Sequence, residues 1–494
     1  MLYKSFYLYY IIYMLCAISN KYLIENETIK KISNFLYSDY YFLSIVAYVV
    51  LMWGLGQLAP GPFVVIGISS LVLVIAGILV MQRDIMPVMP LLFMVMCVMP
   101  IPEMPSYIWI EAIFGVIVVA AVVFHVVYYK INEFKFGKLF FPLFLFAIAI
   151  LLGGVGSRLP VTSTGTLMGF LLIAVAPLFI YLMALNYTDK NRVISEYIAK
   201  TMVHFGLVAV VELVIFYILR IDIVRAGEVP HLGWAISNSI ATYFLITFPM
   251  CFCLYVKKET KEAYVYLVLG IIQYFAIFAT TSRGAILFGM AEFIITLIVT
   301  VFALKGKKRK EYLCVVIGLL LLGIIIFAIA FHRIERIIRH IFSDGMNDSG
   351  RFELYREALA CFFEYPIFGV GLGYIGKRAI GAFNTLGIYM FHNTVLQYVA
   401  SLGIVGLTAY AYYYFAKIEI LFERWNIYSL YIIMALIGFE GYSLLNTGTV
   451  QGYPTSIILV MLIMCQEMDT QQPESKVYNK LRQTIRNRIL AKKV

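Results

Sequence analysis

Apolar runs of about 17–25 residues recur along almost the whole chain, and this is the length an α-helix needs to cross a bilayer. One such run is compatible with a cleaved leader; many are not. Lipid offers no water to a backbone N–H or C=O, so each spanning run must be a helix that satisfies its own groups. Composition agrees. Of the 494 residues, 62% are hydrophobic and 14% charged, against about a quarter charged in an ordinary soluble domain. A soluble domain of this length has no core large enough to hide so much apolar surface. The expected fold is an all-α polytopic membrane protein.

Candidate spans fall at about 3–19, 41–59, 63–81, 85–102, 107–129, 139–153, 166–187, 198–219, 235–256, 264–280, 284–304, 311–332, 393–417, 427–446 and 450–465. Loop charge sets their direction. Lysine-rich connections around 130–138, 190–200, 257–261 and 305–310, together with a basic tail, are assigned to the cytoplasm. The loops at 154–165, 220–234, 280–284 and 333–392 then face outward. Fifteen spans and a cytoplasmic C-terminus leave the N-terminus outside, so one early run is expected to be false or re-entrant. The stretch holding Pro87, Pro90, Pro100, Pro102 and Pro105 is the candidate, because proline interrupts helices. The expectation is about 14 transmembrane helices: a bundle over 1–332, one long outer loop with short amphipathic helices over 333–392, C-terminal helices over 393–465 and a basic cytoplasmic tail over 466–494.

The net charge of +11 belongs to this orientation pattern, and no nucleic-acid partner is expected. The seven cysteines lie mostly within apolar runs and show neither a disulfide framework nor a metal spacing, so no metal and no cofactor are expected. The outward basic residues are unlike the cytoplasmic set. They are Arg158, Arg220, Arg225, Arg283, Arg333, Arg336, Arg339, Arg351, Arg356, Lys377 and Arg378, almost all arginine. Orientation needs charge alone. Arginine adds a planar fork of donors that grips a phosphate at two points and keeps its charge when partly buried. The set points to an anionic ligand such as a phosphate or diphosphate; the alternative is pairing with acids such as Asp222, Glu353 and Glu357.

The long outer loop is the one extended polar connection, and such loops often carry function. Arg333, Arg336 and His340 share one face of a helix that prolongs the preceding span. Asp348 or Ser349 is placed to cap a second helix, which should stop by Tyr365, before Pro366. Gly369-Val370-Gly371-Leu372-Gly373-Tyr374 reads as a tight turn, since no strand precedes it as a dinucleotide site would require. His392 stands where the next span begins. Its ordinary pKa near neutrality suits a general base, and the alternative is a hydrogen-bonded interface residue. Glu111, His125, His204, Glu212, Glu292 and Glu440 lie within apolar runs. Most are read as helix–helix hydrogen-bonding groups, with an ion or substrate path as the rival. Glu440 and Asn446 are placed to face the same cavity as His392.

Several strings in order resemble the O-antigen ligase/polymerase superfamily: Thr280-Thr281-Ser282-Arg283-Gly284; Gly350-Arg351, an amphipathic helix and Tyr365-Pro366-Ile367-Phe368-Gly369-Val370-Gly371; and His392-Asn393-Thr394-Val395-Leu396-Gln397 followed by Gly403-Ile404-Val405-Gly406-Leu407. A fourth, Gly233 to Asn238 and on to Pro249, departs from the family by having Ser237 where proline precedes the asparagine. The resemblance covers about 225–410. It implies a metal-independent membrane glycosyltransferase at the outer face of a bacterial cytoplasmic membrane, taking undecaprenyl-diphosphate-linked glycans as donor. A hydroxyl of a glycan acceptor attacks the anomeric carbon and lipid diphosphate leaves. By this resemblance Arg283 and Arg351 bind the diphosphate and His392 activates the acceptor. Arg158, Arg225, Asn238, Ser282, Tyr355, Arg356, Asn393 and Glu440 are the further substrate-binding candidates. Membrane lipids and a chain-length regulator complete the expected partners. Three functions follow: a polymerase of lipid-linked repeat units, favoured for the chain's length and its 37 tyrosines and 37 phenylalanines; a ligase moving a finished glycan to another acceptor; and a transporter without transfer chemistry.

Overall fold

The computed structural model describes residues 27–100, 108–220, 222, 229–343, 350–376, 387–446, 448–451 and 454–469. Its regular elements are helices, as apolar runs in lipid require. They are α1 (Glu27–Leu36), α2 (Asp39–Leu58), α3 (Pro60–Met81), α4 (Val88–Met94), α5 (Ile108–Tyr128), α6 (Phe140–Leu152), α7 (Ser163–Gly169), α8 (Ala176–Tyr187), α9 (Ile194–Leu219), α10 (Ser237–Lys257), α11 (Ala263–Ala279), α12 (Arg283–Ala303), α13 (Gly306–Ser343), α14 (Arg351–Glu364), α15 (Thr394–Glu423), α16 (Ile427–Ser443) and α17 (Thr455–Met468). A π-helical stretch, Phe170–Val175, joins α7 to α8. Among the described residues seven apolar segments are long enough to cross a membrane: Asp39–Leu58, Gly61–Met81, Ser163–Tyr187, Ile194–Leu219, Ser237–Lys257, Arg283–Ala303 and Thr394–Glu423. Six shorter apolar helices accompany them. The expected first span, 3–19, lies outside the described residues.

The chain divides into two compact units, one of residues 1–137 and 182–240 and one of 138–181 and 241–494. In the first unit the proline-rich run is broken, as its prolines require. Among its described residues only α4 and a single 3-10 turn, Met96–Val98, are regular, and both are buried. Trp53 Nε1 donates to Leu232 O at 2.9 Å, and Trp234 Nε1 donates to Glu212 Oε2 at 2.6 Å. His125 Nδ1 contacts Leu79 O at 2.8 Å. Two of the polar residues inside apolar runs thus bond between segments of the same unit.

In the second unit, α13 runs on to Ser343 as one 38-residue helix, so the preceding span is prolonged as its periodicity indicated. The N-cap of α14 is Gly350, in the left-handed region (φ 78°). The expected caps, Asp348 and Ser349, lie outside the described residues. The helix stops at Glu364, before Pro366, as the clash of proline with a preceding helical residue demands. Leu354, Ala358 and Cys361 recur along α14 and bury against Val370, Tyr374, Tyr389, Phe391 and Ala400. The other face of the helix is mixed, exposing Glu353, Arg356 and Glu364 beside Phe352, Leu359 and Phe363.

The glycine-rich stretch has a structural use. α15 is interrupted at Gly403, whose φ of 63° and ψ of −157° only glycine adopts readily. A break inside an apolar helix frees carbonyls above it and N–H groups below it, and lipid cannot satisfy either. The chain at 366–371 does so. Val370 N and Gly371 N donate to Ala400 O (2.9 Å) and Ser401 O (2.8 Å), while Ile404 N and Val405 N donate to Pro366 O (2.8 Å) and Ile367 O (3.2 Å). Gly369, also at positive φ (66°), is pressed against the backbone of residues 400–402 and has no room for a side chain. Gly403→Ala combines a disallowed backbone with overlap on Ile367 O. We expect it to remove about 3 kcal/mol or more of stability, seen as loss of the monodisperse protein in detergent; a Gly403→Ala variant melting with the parent would refute this.

Candidate active site

Three helix starts converge on the C-terminal end of α16 in the second unit. The first is α12. Its connection from α11 is only Thr280-Thr281-Ser282, with Arg283 as the first helical residue, exposed, and Ser282 as N-cap, buried. The second is α14, again with an arginine, Arg351, in first place. The third is α15, whose N-cap Asn393 accepts from Leu396 N at 2.9 Å through its side chain. His392 precedes that cap.

Strain marks two of these starts. Among the described residues only Thr281 (φ 60°) and His392 (φ 52°) are non-glycine residues at positive φ. Each stands immediately before an N-cap. Such conformations cost about 1–3 kcal/mol and persist where surrounding contacts fix them. The contacts at His392 are on both sides. Tyr355 Oη donates to His392 O (3.3 Å) and lies 3.5 Å from Leu444 O. Asn393 Nδ2 donates to Leu444 O (2.9 Å). Fully buried Gln397 accepts from Phe391 N (2.9 Å) and donates to Tyr389 O (2.9 Å).

The imidazole is half-buried. Asn446 hydrogen-bonds it, while its Nδ1 is buried with no hydrogen-bond partner among the described residues. Burial first, and the nearby Arg351 guanidinium second, push the His392 pKa below the ordinary histidine value. The ring is therefore neutral at physiological pH, able to accept a proton. The α12 start is tied to the same place. Ser282 Oγ and Tyr442 Oη are 2.8 Å apart, and Asn446 Nδ2 donates to Tyr442 Oη at 3.4 Å. Gly284 lets the ring in: a Cβ there would lie 3.0 Å from Tyr442 Cε2. Farther down, Gly438 and Gly441 allow α12 and α16 to approach closely; a Cβ on Gly441 would meet Phe288 Cδ1 at 2.6 Å.

An arginine in first helical position is mildly unfavourable, because the helix dipole already places positive charge there. Two helices of this unit nonetheless carry one there, Arg283 on α12 and Arg351 on α14. Arg351 acts electrostatically on both His392 and Tyr442. Among the described residues no three His, Cys, Asp or Glu side chains gather at one point.

The structure thus brings together Arg351, His392, Asn393, Tyr355, Ser282 and the start of α12 that carries Arg283. Ser282 is turned toward Tyr442, so it links helices. Of the other candidates, Arg158 and Glu440 lie elsewhere in this unit. Arg158 N donates to Tyr365 Oη (3.4 Å), at the far end of α14 from Arg351, about 20 Å along a helix of this length. Arg356 is exposed on α14. Asn238 lies in the first unit, at the start of α10. Arg225 is outside the described residues. Glu440 accepts from Lys417 Nζ at 3.1 Å and Tyr410 Oη at 3.4 Å, and the Lys417 side chain is completely buried. The reason is helical: two residues along α16 is about 200°, so Glu440 points away from Tyr442. Tyr442 was missed by sequence reasoning. As one tyrosine among 37 it carries no signal of its own; Ser282 in a connecting turn was the only local hint.

Residues 265–411 match the family model described as O-antigen ligase, a match that contains Arg283, Arg351 and His392 and supports the O-antigen ligase/polymerase superfamily. No curated protein matches the chain.

Proposed function

We propose, from an O-antigen ligase domain that carries Arg283, Arg351 and His392, that this protein is a polymerase of undecaprenyl-diphosphate-linked oligosaccharide repeat units. It works at the outer face of a bacterial cytoplasmic membrane, with about fourteen crossings. The observation that carries the reading is the neutral imidazole of His392, its Nδ1 without a hydrogen-bond partner among the described residues, beside two arginine-headed helix starts. Arg283 and Arg351 hold the donor's diphosphate. The acceptor hydroxyl gives its proton to His392 as its oxygen bonds the anomeric carbon. The bond from that carbon to the diphosphate oxygen breaks, and the electron pair leaves with the lipid diphosphate. Negative charge grows on the leaving group in the transition state, where fixed guanidinium groups act most strongly. They supply the charge stabilisation that a metal ion supplies elsewhere, so transfer is expected without one.

The description of the matched family favours a second reading, a ligase moving the glycan to a different acceptor. Product analysis separates them: the polymerase lengthens lipid-linked donor into a ladder, the ligase consumes donor only when its separate acceptor is present. For the orientation, a cysteine at Asn384 should react with an impermeant thiol reagent in intact spheroplasts; labelling only after rupture would overturn the outward placement.

A further inference from the structure

Resting on that reading of the site, we propose that Tyr442 and Asn446 are positioning residues that fix the orientation of the His392 ring and couple it to the helix start bearing Arg283. Three observations converge. Asn446 bonds the imidazole and also donates to Tyr442 Oη at 3.4 Å. Tyr442 Oη in turn meets buried Ser282 Oγ at 2.8 Å, one residue from Arg283. The bridge ends at His392 and at Ser282, and His392 and the residue before Ser282, Thr281, are the strained positions of the site. A ring bonded on one side presents its remaining nitrogen in one direction, and the unpartnered atom here is Nδ1. Charge at the donor-binding start and direction at the histidine are thereby set by one chain of hydrogen bonds.

The groups facing the ring are Arg351 from α14, whose charge adds to burial in favouring the neutral form, the phenol of Tyr355 from the same helix through the His392 carbonyl, and Tyr442 and Asn446 from the end of α16. Glu440 faces Lys417 on the opposite side of α16. An aspartate in place of Asn446 puts a negative charge against the imidazole and stabilises its protonated form.

The test uses near-isosteric variants of the full chain in detergent or nanodiscs. Histidine side-chain NMR titration, with His392 assigned by its loss in His392→Gln, should show its pKa raised by about one unit or more in Asn446→Asp. This readout needs no activity. An unmoved His392 titration overturns the inference. In the transfer assay Tyr442→Phe keeps the ring against Gly284 but loses the bridging oxygen, and kcat should fall about tenfold with donor KM within about twofold. Unchanged kcat overturns the coupling, and a loss seen only in KM makes Tyr442 a donor-binding residue instead. Wild-type protein that titrates as described yet transfers no glycan would defeat the proposed function and leave the ring-positioning network standing.

Discussion

Replacing His392 by glutamine is expected to slow glycan transfer by at least a hundredfold, within the roughly 10²–10⁴-fold that a positioned general base contributes. Donor binding should be retained. Glutamine keeps a hydrogen-bonding head for Asn446 but takes up no proton. The pH profile gives the same claim a sign. The base works in its neutral form, and burial and Arg351 lower its pKa. The wild-type rate should therefore rise with pH through a midpoint below the ordinary histidine value and stay level from neutrality upward. Any residual rate in Arg351→Gln should show that midpoint displaced upward, since a positive neighbour has been removed. If His392→Gln loses donor binding along with turnover, the residue holds donor or structure and is not the base. Full activity would remove it from the mechanism.

The second large effect concerns the arginines. Arg283→Lys and Arg351→Lys keep the charge but lose the planar fork that grips two phosphate oxygens. Each should cost roughly a hundredfold in transfer, the scale seen when one fixed donor to a developing anion is removed. The protein should still insert and purify, since Arg283 is exposed and neither side chain is part of the buried core. A lysine variant with near-normal transfer would mean that charge alone matters, or that the residue stands away from the diphosphate.

Much of the scaffold was legible because lipid leaves the backbone few choices. Apolar runs became helices, prolines broke the 85–102 run, and Pro366 ended α14. The arginines at helix starts stood out in the sequence as cations, though not as neighbours of one another's helices. What escaped depends on contacts distant in sequence. Gly403 within an apolar run looks like any helical glycine, and its break exists only because residues 366–371 bond the freed groups. Glu440 and Asn446 were read as sharing a cavity from their common position along one span. Helical rotation sends Glu440 to Lys417, while Asn446, beyond the helix end, turns back to His392. Tyr442 had no sequence mark at all.

The most direct measurement follows both products with purified protein in liposomes. The substrate is an undecaprenyl-diphosphate-linked glycan, supplied on the side that residue 384 occupies, with a chelator present. Lengthened lipid-linked glycan should accumulate, with one undecaprenyl diphosphate released for each new glycosidic bond. Both should vanish together in the Arg351→Lys and His392→Gln variants. Donor that stays intact under these conditions, or that crosses the bilayer unchanged, would contradict the account and favour transport without transfer.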